Sequence, residues 1–596
     1  LGAVLSVCLP ERFSRCLLEE KYMSMTRREF IQILAAASVA GFNLRGASAL
    51  AADAPANPYE LPAFGNVSVL HYTDCHAQLL PIYFREPGVN LGIGDMKGRP
   101  PHRVGEKFLQ YYSIAPETLD AHAFTCLDFD VAAKKYGKVG GFAHLKTLVD
   151  QVRAQRPGSL LLDGGDTWQG SWTALKTHAA DMVSAQLLLG VDVMTPHWEM
   201  TFGADRVMEI IENDFRDRID FVAQNVITTD FEEPVFEPYT LREINGVPVA
   251  IIGQAFPYTP IANPRHLIPD WSFGIRDERM QEMVDEARGK GAQLVIVLSH
   301  NGMDVDLKMA SRVTGIDAIM GGHTHDGVFQ PMIVDNAGGK TLVTNAGSNG
   351  KFLGVLDMEV KDGRLADFRY RLLPVFANLL EPNPEMADLI TKIREPYSQA
   401  LAEELAVCDD TLYRRGNFNG TFDQLICNAL MEGLDAPIAF SPGFRWGTSV
   451  LPGQPITFEH VADQTAITYG TVTRNEMSGE MLKTVLEDVA DNLFNPDPYY
   501  QQGGDMVRVG GLKFSFDPTA AMGQRVSHMT LDGKVIDAAK TYPVAGWASV
   551  QESVPDNRQI WDVVADYLRD KKTIGKVELN TPTLLNVEGN EGLMPS

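Results

Sequence analysis

Basic residues are in short supply in this chain. Its 596 residues carry 52 Lys+Arg against 77 Asp+Glu, a formal net charge of −25. Such a surface repels nucleic acid and anionic lipid at long range, which excludes a general nucleic-acid binder. Cysteine is scarce as well. There are six, with no C-x-x-C pair, and Cys75, Cys126, Cys408 and Cys427 are far apart. No disulfide framework is therefore demanded. The longest apolar stretch near the start is too short and too rich in Ser and Ala to span a membrane. No internal repeat or low-complexity tract is visible. Histidine is also rare, 13 in all, so its clustering carries weight. What is there is ordinary globular composition, 45% hydrophobic and 22% charged, with length for several domains.

The first fifty residues read as an address. Thr26-Arg27-Arg28-Glu29-Phe30 precedes an apolar run from Ile31 to Phe42, and small residues follow at Ala47-Ser48-Ala49. This order is expected of a twin-arginine export signal, removed near Leu50–Asp53. Residues 1–22, upstream of Met23 and Met25, read as translation ahead of the start codon. The expectation is a periplasmic protein, folded and metal-loaded before export, with no membrane insertion after signal removal.

Downstream, Asn66 to Tyr72, Ser159 to Leu162, Asp192 to Thr195, Val249 to Gly253 and Leu294 to Ser299 have the β-branched, apolar character of strands. Phe142 to Ala154, Ala179 to Leu189 and Asp277 to Gly289 have helical spacing. Alternating strands and helices predict α/β layering. Residues 84–137 break the rhythm and are expected to form an insertion over the site. A helix is expected over Met386 to Leu405, inside a 381–405 linker. The layout is then 1–52 leader, 62–380 first domain, linker, and 406–596 second domain.

Five short motifs stand just beyond apolar runs: Asp74-Cys75-His76, Gly165-Asp166, His197-Trp198-Glu199, Ser299-His300-Asn301-Gly302 and Gly321-Gly322-His323-Thr324-His325. Each is weak alone. Together they offer two aspartates and five histidines, enough for two divalent ions. Imidazole suits Zn, Fe or Ni and carboxylate suits Mn, so the donor set leaves the metal open. A two-metal hydrolase is the chemistry this predicts.

The order of these motifs resembles the metallophosphoesterase domain of the 5′-nucleotidase family. The C-terminal stretches Asn419-Gly420, Gly443-Phe444-Arg445, Gln502-Gly503-Gly504-Asp505 and Gly511 to Asp517 resemble that family's second domain. The resemblance implies an αββα sandwich followed by a 5′-nucleotidase-type α/β domain. It further implies that Asp74, His76, Asp166 and His325 hold one ion and that Asp166, His197, His300 and His323 hold the other, with Asp166 bridging and catalytic. The family's third motif carries a His–Asp pair where this chain has Trp198 and Thr201. Met506 and Arg508 likewise replace residues expected near a stacked base. These departures resemble the thiosulfohydrolase (SoxB) branch of the family, as do Thr167 to Ser171 and Tyr500 to Arg508. That branch implies two manganese ions, with zinc as the alternative, and a cysteine S-thiosulfonate on the C-terminal arm of the SoxYZ carrier as substrate. Arg445 would hold the sulfonate, Gln502 and Asp505 would shape the wall, and Trp198 would supply an indole N–H or packing. A monomer is expected. The competing readings are a periplasmic 5′-nucleotidase or cyclic phosphodiesterase, and a non-catalytic binding protein on the same scaffold.

Overall fold

The computed structural model describes residues 57–85, 91–416, 418–550 and 558–594. The expected export signal and leader lie outside them. Residues 57–60, a short turn, belong to a separate leading unit, and residues 61–596 form the second unit.

Two six-stranded sheets face each other. The first runs, edge to edge, Arg364–Pro374, Phe352–Lys361, Val67–Tyr72, Leu160–Asp163, Val193–Met194 and Asp220–Phe221. The second runs Met332–Asn336, Gly339–Asn345, Ala318–Gly321, Leu294–Ser299, Val247–Gln254 and Tyr239–Ile244. Period-two alternation assigns the faces. Val249, Ile251, Leu294 and Ile296 meet Val67, Val69, Leu162 and Val193 between the sheets. Their sequence neighbours Ala250, Ile252, Val295 and Val297 pack outward on Met280, Val284 and Leu307 of the helices Asp277–Gly289 and Met303–Arg312. On the other outer face Tyr72 meets Phe142, which opens the helix Phe142–Ala154, edge to face at 6.2 Å. The result is an αββα sandwich.

A second α/β region follows, around a four-stranded sheet of Val472–Ser478, Thr541–Trp547, Ile438–Ser441 and Arg508–Gly510. The helices Thr421–Gly433 and Ile560–Lys571 supply Phe422, Ile426, Val564 and Leu568 to its core. Two expectations change in detail. The run from Met386 to Leu405 is not one helix. It stops at Arg394, and Pro396 sits in a 3-10 turn before a short helix and the strand Glu404–Cys408, because proline cannot continue the hydrogen-bond ladder. The insertion, for its part, has regular structure of its own. It folds into helices at Gly105–Tyr112, Leu119–Phe124 and Phe129–Tyr136, the second capped by Thr118. Leu91 enters the core of the second region beside Phe418 and Met506, while Phe124 stacks on Phe352 of the sandwich at 5.0 Å. The insertion therefore ties the two regions together. Cys75, Cys126, Cys408 and Cys427 are buried and unbridged.

Candidate metal centre

All five motifs follow strands that, within each sheet, run parallel to one another: Val67–Tyr72, Leu160–Asp163 and Val193–Met194 in one, Leu294–Ser299 and Ala318–Gly321 in the other. Loops leaving the carboxyl ends of parallel strands share one edge, and the two sheets bring both edges together. The ligand atoms form two groups: Asp74, His76, Asp166 and His325, and His197, His300 and His323. The Asp166 carboxylate stands between them. Its Oδ1 lies 3.5 Å from His76 Nδ1 and its Oδ2 lies 3.0 Å from His197 Nδ1.

The backbone at this edge is strained. Asp74, His76, Asp166, His323 and His325 all have φ between 49° and 72°, a region non-glycine residues seldom occupy and which costs free energy at each position. Gly165 shows why a glycine precedes Asp166: at φ +90° a Cβ there would lie 2.4 Å from the Thr195 carbonyl.

The surroundings fix which ring nitrogens face the centre. His300 Nδ1 pairs with the Gly164 carbonyl, and His323 Nε2 with the Gln502 carbonyl at 3.0 Å. Glu199, fully buried, accepts the backbone N–H groups of His197 (2.6 Å), Thr167 (2.7 Å), Trp168 (3.2 Å) and Asp166 (3.3 Å). Behind it Asp163 accepts from Tyr72, Thr167, Gln186 and the Gly165 N–H.

The donor set fits two divalent ions. His76 Nδ1, Asp166 Oδ1, His197 Nε2, His300 Nε2 and His323 Nδ1 are buried with no hydrogen-bond partner among the described residues, a costly state unless something else satisfies them. Burial lowers the pKa of all five histidines, and mutual repulsion or Arg445 adds to it, leaving them as the neutral imidazoles that metals require. Asp74 resists its burial. His300, His325 and His76 hold its carboxyl below the ordinary range. Asp166 is pushed up by burial and by Asp74 and Glu199, repulsion that divalent charge would relieve.

A cleft opens beside the centre between the sandwich and the second region. Arg445 lines it and donates Nη2 to the His323 carbonyl. Asp505 lines it too, but its carboxylate is engaged by Arg415 at 3.0 Å and Arg508 at 2.7 Å. Gln502 enters through its carbonyl on His323 rather than as cleft wall. Arg508 is fully buried and bonds Asp423 and Asp505, and Met506 lines the cleft. Trp198 is 6% exposed beside His197 at 5.6 Å, and Thr201 Oγ1 donates to the Trp198 carbonyl at 2.7 Å. Sequence reasoning missed Arg415, a cleft-lining cation at φ +67°. Its one signal was the Arg-Arg-Gly run just ahead of Asn419-Gly420.

Residues 404–553 match the family model described as 5′-nucleotidase, C-terminal domain. A 5′-nucleotidase of Bos taurus is 25% identical over 429 residues, 65% of this chain and 72% of that protein. The solved structure of a Thermus thermophilus sulfate thiohydrolase SoxB in complex with glycerol superposes with a TM-score of 0.84 at 35% identity, covering 89% of this chain and 98% of that one. A 5′-nucleotidase precursor from Thermus thermophilus shares the fold, with a TM-score of 0.69 at 21% identity over 87% of this chain and 99% of that one.

Proposed function

The chain belongs to the 5′-nucleotidase family of metal-dependent hydrolases, in the branch that contains SoxB, and from that premise we propose that it is a thiosulfohydrolase. The substrate is a cysteine S-thiosulfonate on the C-terminal arm of a SoxYZ-type carrier, and the product is sulfate. The observation that carries this reading is the pair Trp198 and Thr201. Both are buried beside the metal centre, and neither bears a charge, at the positions where the nucleotide-cleaving pattern has a His–Asp pair.

The leaving group explains why that loss is tolerable. A phosphoester expels an alkoxide, which needs a proton or a cation. A thiosulfonate expels a sulfur anion, and even a free thiol has a pKa of only about 8.5. Water oxygen bonds to the sulfonate sulfur, the S–S bond breaks, and its electron pair leaves with the carrier sulfur. The carrier keeps a persulfide anion, and sulfate and two protons are released.

Two ions, manganese by preference with zinc as the alternative, would be held by Asp74, His76, Asp166 and His325 and by Asp166, His197, His300 and His323. When bound, such a pair supplies a water of lowered pKa and positive charge toward the oxygens of the reacting group. Arg445 binds the sulfonate through a planar fork that matches an oxyanion, and its bond to the His323 carbonyl holds it at the centre. Glu199 and Asp163 orient the loops that bear the ligands. Export to the periplasm rests on Arg27 and Arg28.

The deciding experiment is sulfate release from a thiosulfonated carrier, run beside AMP hydrolysis on the same metal-loaded preparation. Sulfate release with weak AMP hydrolysis is expected. Strong AMP hydrolysis with no sulfate would make the protein a 5′-nucleotidase.

A further inference from the structure

The segment Gly443 to Gly447 is pinned to the metal centre by three consecutive side chains. Phe444 meets Trp198 edge to face at 4.9 Å, Arg445 bonds the His323 carbonyl, and Trp446 stacks on the His76 ring at 5.5 Å and 25°. Trp446 also meets Trp198 at 5.0 Å, and Trp198 lies 5.6 Å from His197. His76 belongs to one ligand group and His197 to the other. The two indoles thus form one continuous wall that touches both halves of the centre, one contributed by the sandwich and one by the second region.

This wall is held rigidly. The Trp446 carbonyl accepts from Arg414, and the Gly447 carbonyl from Asn349, whose own N–H donates to the Asp74 carbonyl at 2.8 Å. At Gly447, φ is +143° and a Cβ would lie 2.1 Å from Gln464 Oε1, so the turn that presents Trp446 tolerates no side chain there.

The two indoles also share a chemical peculiarity. Trp168 Nε1 donates to Gln186 and Trp547 Nε1 to Ser441. The Nε1 groups of Trp198 and Trp446 are buried and have no acceptor among the described residues. Unpaired buried donors of this kind are uncommon and point to a missing partner. They stand against His76 and His197, whose own Nδ1 and Nε2 are likewise without a partner among the described residues.

Building on the thiosulfohydrolase reading, we propose that Trp446 is a specificity-determining residue: with Trp198 it forms a neutral indole wall whose unpaired N–H groups receive the departing sulfur. A sulfur anion is large, polarisable and needs no proton near neutral pH, so the positive edge of an indole and its N–H are enough to receive it. An alkoxide gains too little from such a wall. The chain would thus select a sulfur over an oxygen leaving group by what it places at this wall, without any charged acid.

The test uses the full metal-loaded chain and Trp446→Phe, which keeps a ring and removes the N–H. The variant is expected to bind two metal equivalents and keep KM for a thiosulfonated carrier within about twofold. Its kcat should fall about tenfold or more, the worth of one hydrogen bond made in the transition state. Unchanged kcat with both metals bound overturns the proposal. A second measurement needs no active variant. In the zinc-loaded wild type, thiosulfate should shift the indole N–H resonances of Trp446 and Trp198 and leave those of Trp168 and Trp547 in place. Static Trp446 and Trp198 signals at thiosulfate concentrations that inhibit sulfate release also overturn it. Failure of the function reading looks different: the wild type itself would release no sulfate.

Discussion

Glu199 and His197 sit two residues apart, yet the glutamate folds back so that its Oε2 accepts the His197 backbone N–H at 2.6 Å. The same carboxylate reaches across to the N–H groups of Asp166, Thr167 and Trp168. One buried anion thereby fixes a ligand loop from each of two adjacent strands.

Glu199→Gln places an amide N–H against one of these donors. Metal affinity should fall about 10- to 100-fold, the usual worth of a group that orients ligands, while the fold persists. Metal content after dialysis against graded chelator, with circular dichroism alongside, checks this.

His197→Ala removes one of the three candidate ligands that, among the described residues, form its half of the centre. The variant should retain about one metal equivalent in place of two, with activity lost in parallel. Two full equivalents in the variant would show that His197 is not a ligand.

Trp198→His with Thr201→Asp restores in sequence the charged pair of the nucleotide-cleaving members. A well-aimed cationic imidazole is worth a factor of about a hundred or more, so hydrolysis of a simple aryl phosphate should rise above wild type. The structure sets a cost on the second change. Thr201 Oγ1 donates to the Trp198 carbonyl, and an aspartate cannot, so the double variant should melt lower than wild type. Turnover of the aryl phosphate and a melting curve read both effects.

Asp306 lies fully buried on the helix Met303–Arg312. Its Oδ1 accepts from Ser299 and Asn301, its Oδ2 has no hydrogen-bond partner among the described residues, and burial pushes its carboxyl up to about 7. A raised carboxyl pKa means the folded state binds more protons than the unfolded one. Its contribution is therefore full below the unfolded value of about 3.9 and is lost as pH rises through 7. Asp306→Asn keeps the acceptor and removes the charge, so it should exceed wild type in stability at pH 8, with a smaller gap at pH 5 that closes only below about 3.9. Thermal unfolding of both proteins in chelator, at both pH values, measures the difference.

Asp423 is fully buried between Arg414 at 2.8 Å and Arg508 at 2.9 Å, and also accepts the Arg415 N–H. Asp423→Ala leaves two buried guanidinium groups short of a counter-charge, at a cost of about 3–5 kcal/mol. Urea unfolding followed in the second region should show the loss directly.

The sequence by itself marked out the candidate metal-holding residues. Asp74, His76, Asp166, His197, His300, His323 and His325 are legible because each follows an apolar run, and parallel strands deliver such residues to one edge whatever lies between them. Five strands of the sandwich and three of its helices were legible for the same reason, since alternation and 3.6-residue spacing are local properties, whereas strands such as Phe352–Lys361 and Arg364–Pro374 were not read from the sequence. What only the tertiary structure decided involves partners distant along the chain. Arg415 faces the cleft because Asp505, ninety residues on, holds its guanidinium. Gln502 contributes a carbonyl to His323 rather than a side chain to the cleft, a role no side-chain type announces. The insertion packs on both regions because Phe124 found Phe352 of the sandwich and Leu91 found the core around Phe418. Trp446 looked like an ordinary apolar residue in sequence. Its stacking on His76 and its unpaired N–H arise only where the second region closes over the metal edge of the first, since two side chains 370 positions apart meet only through the fold.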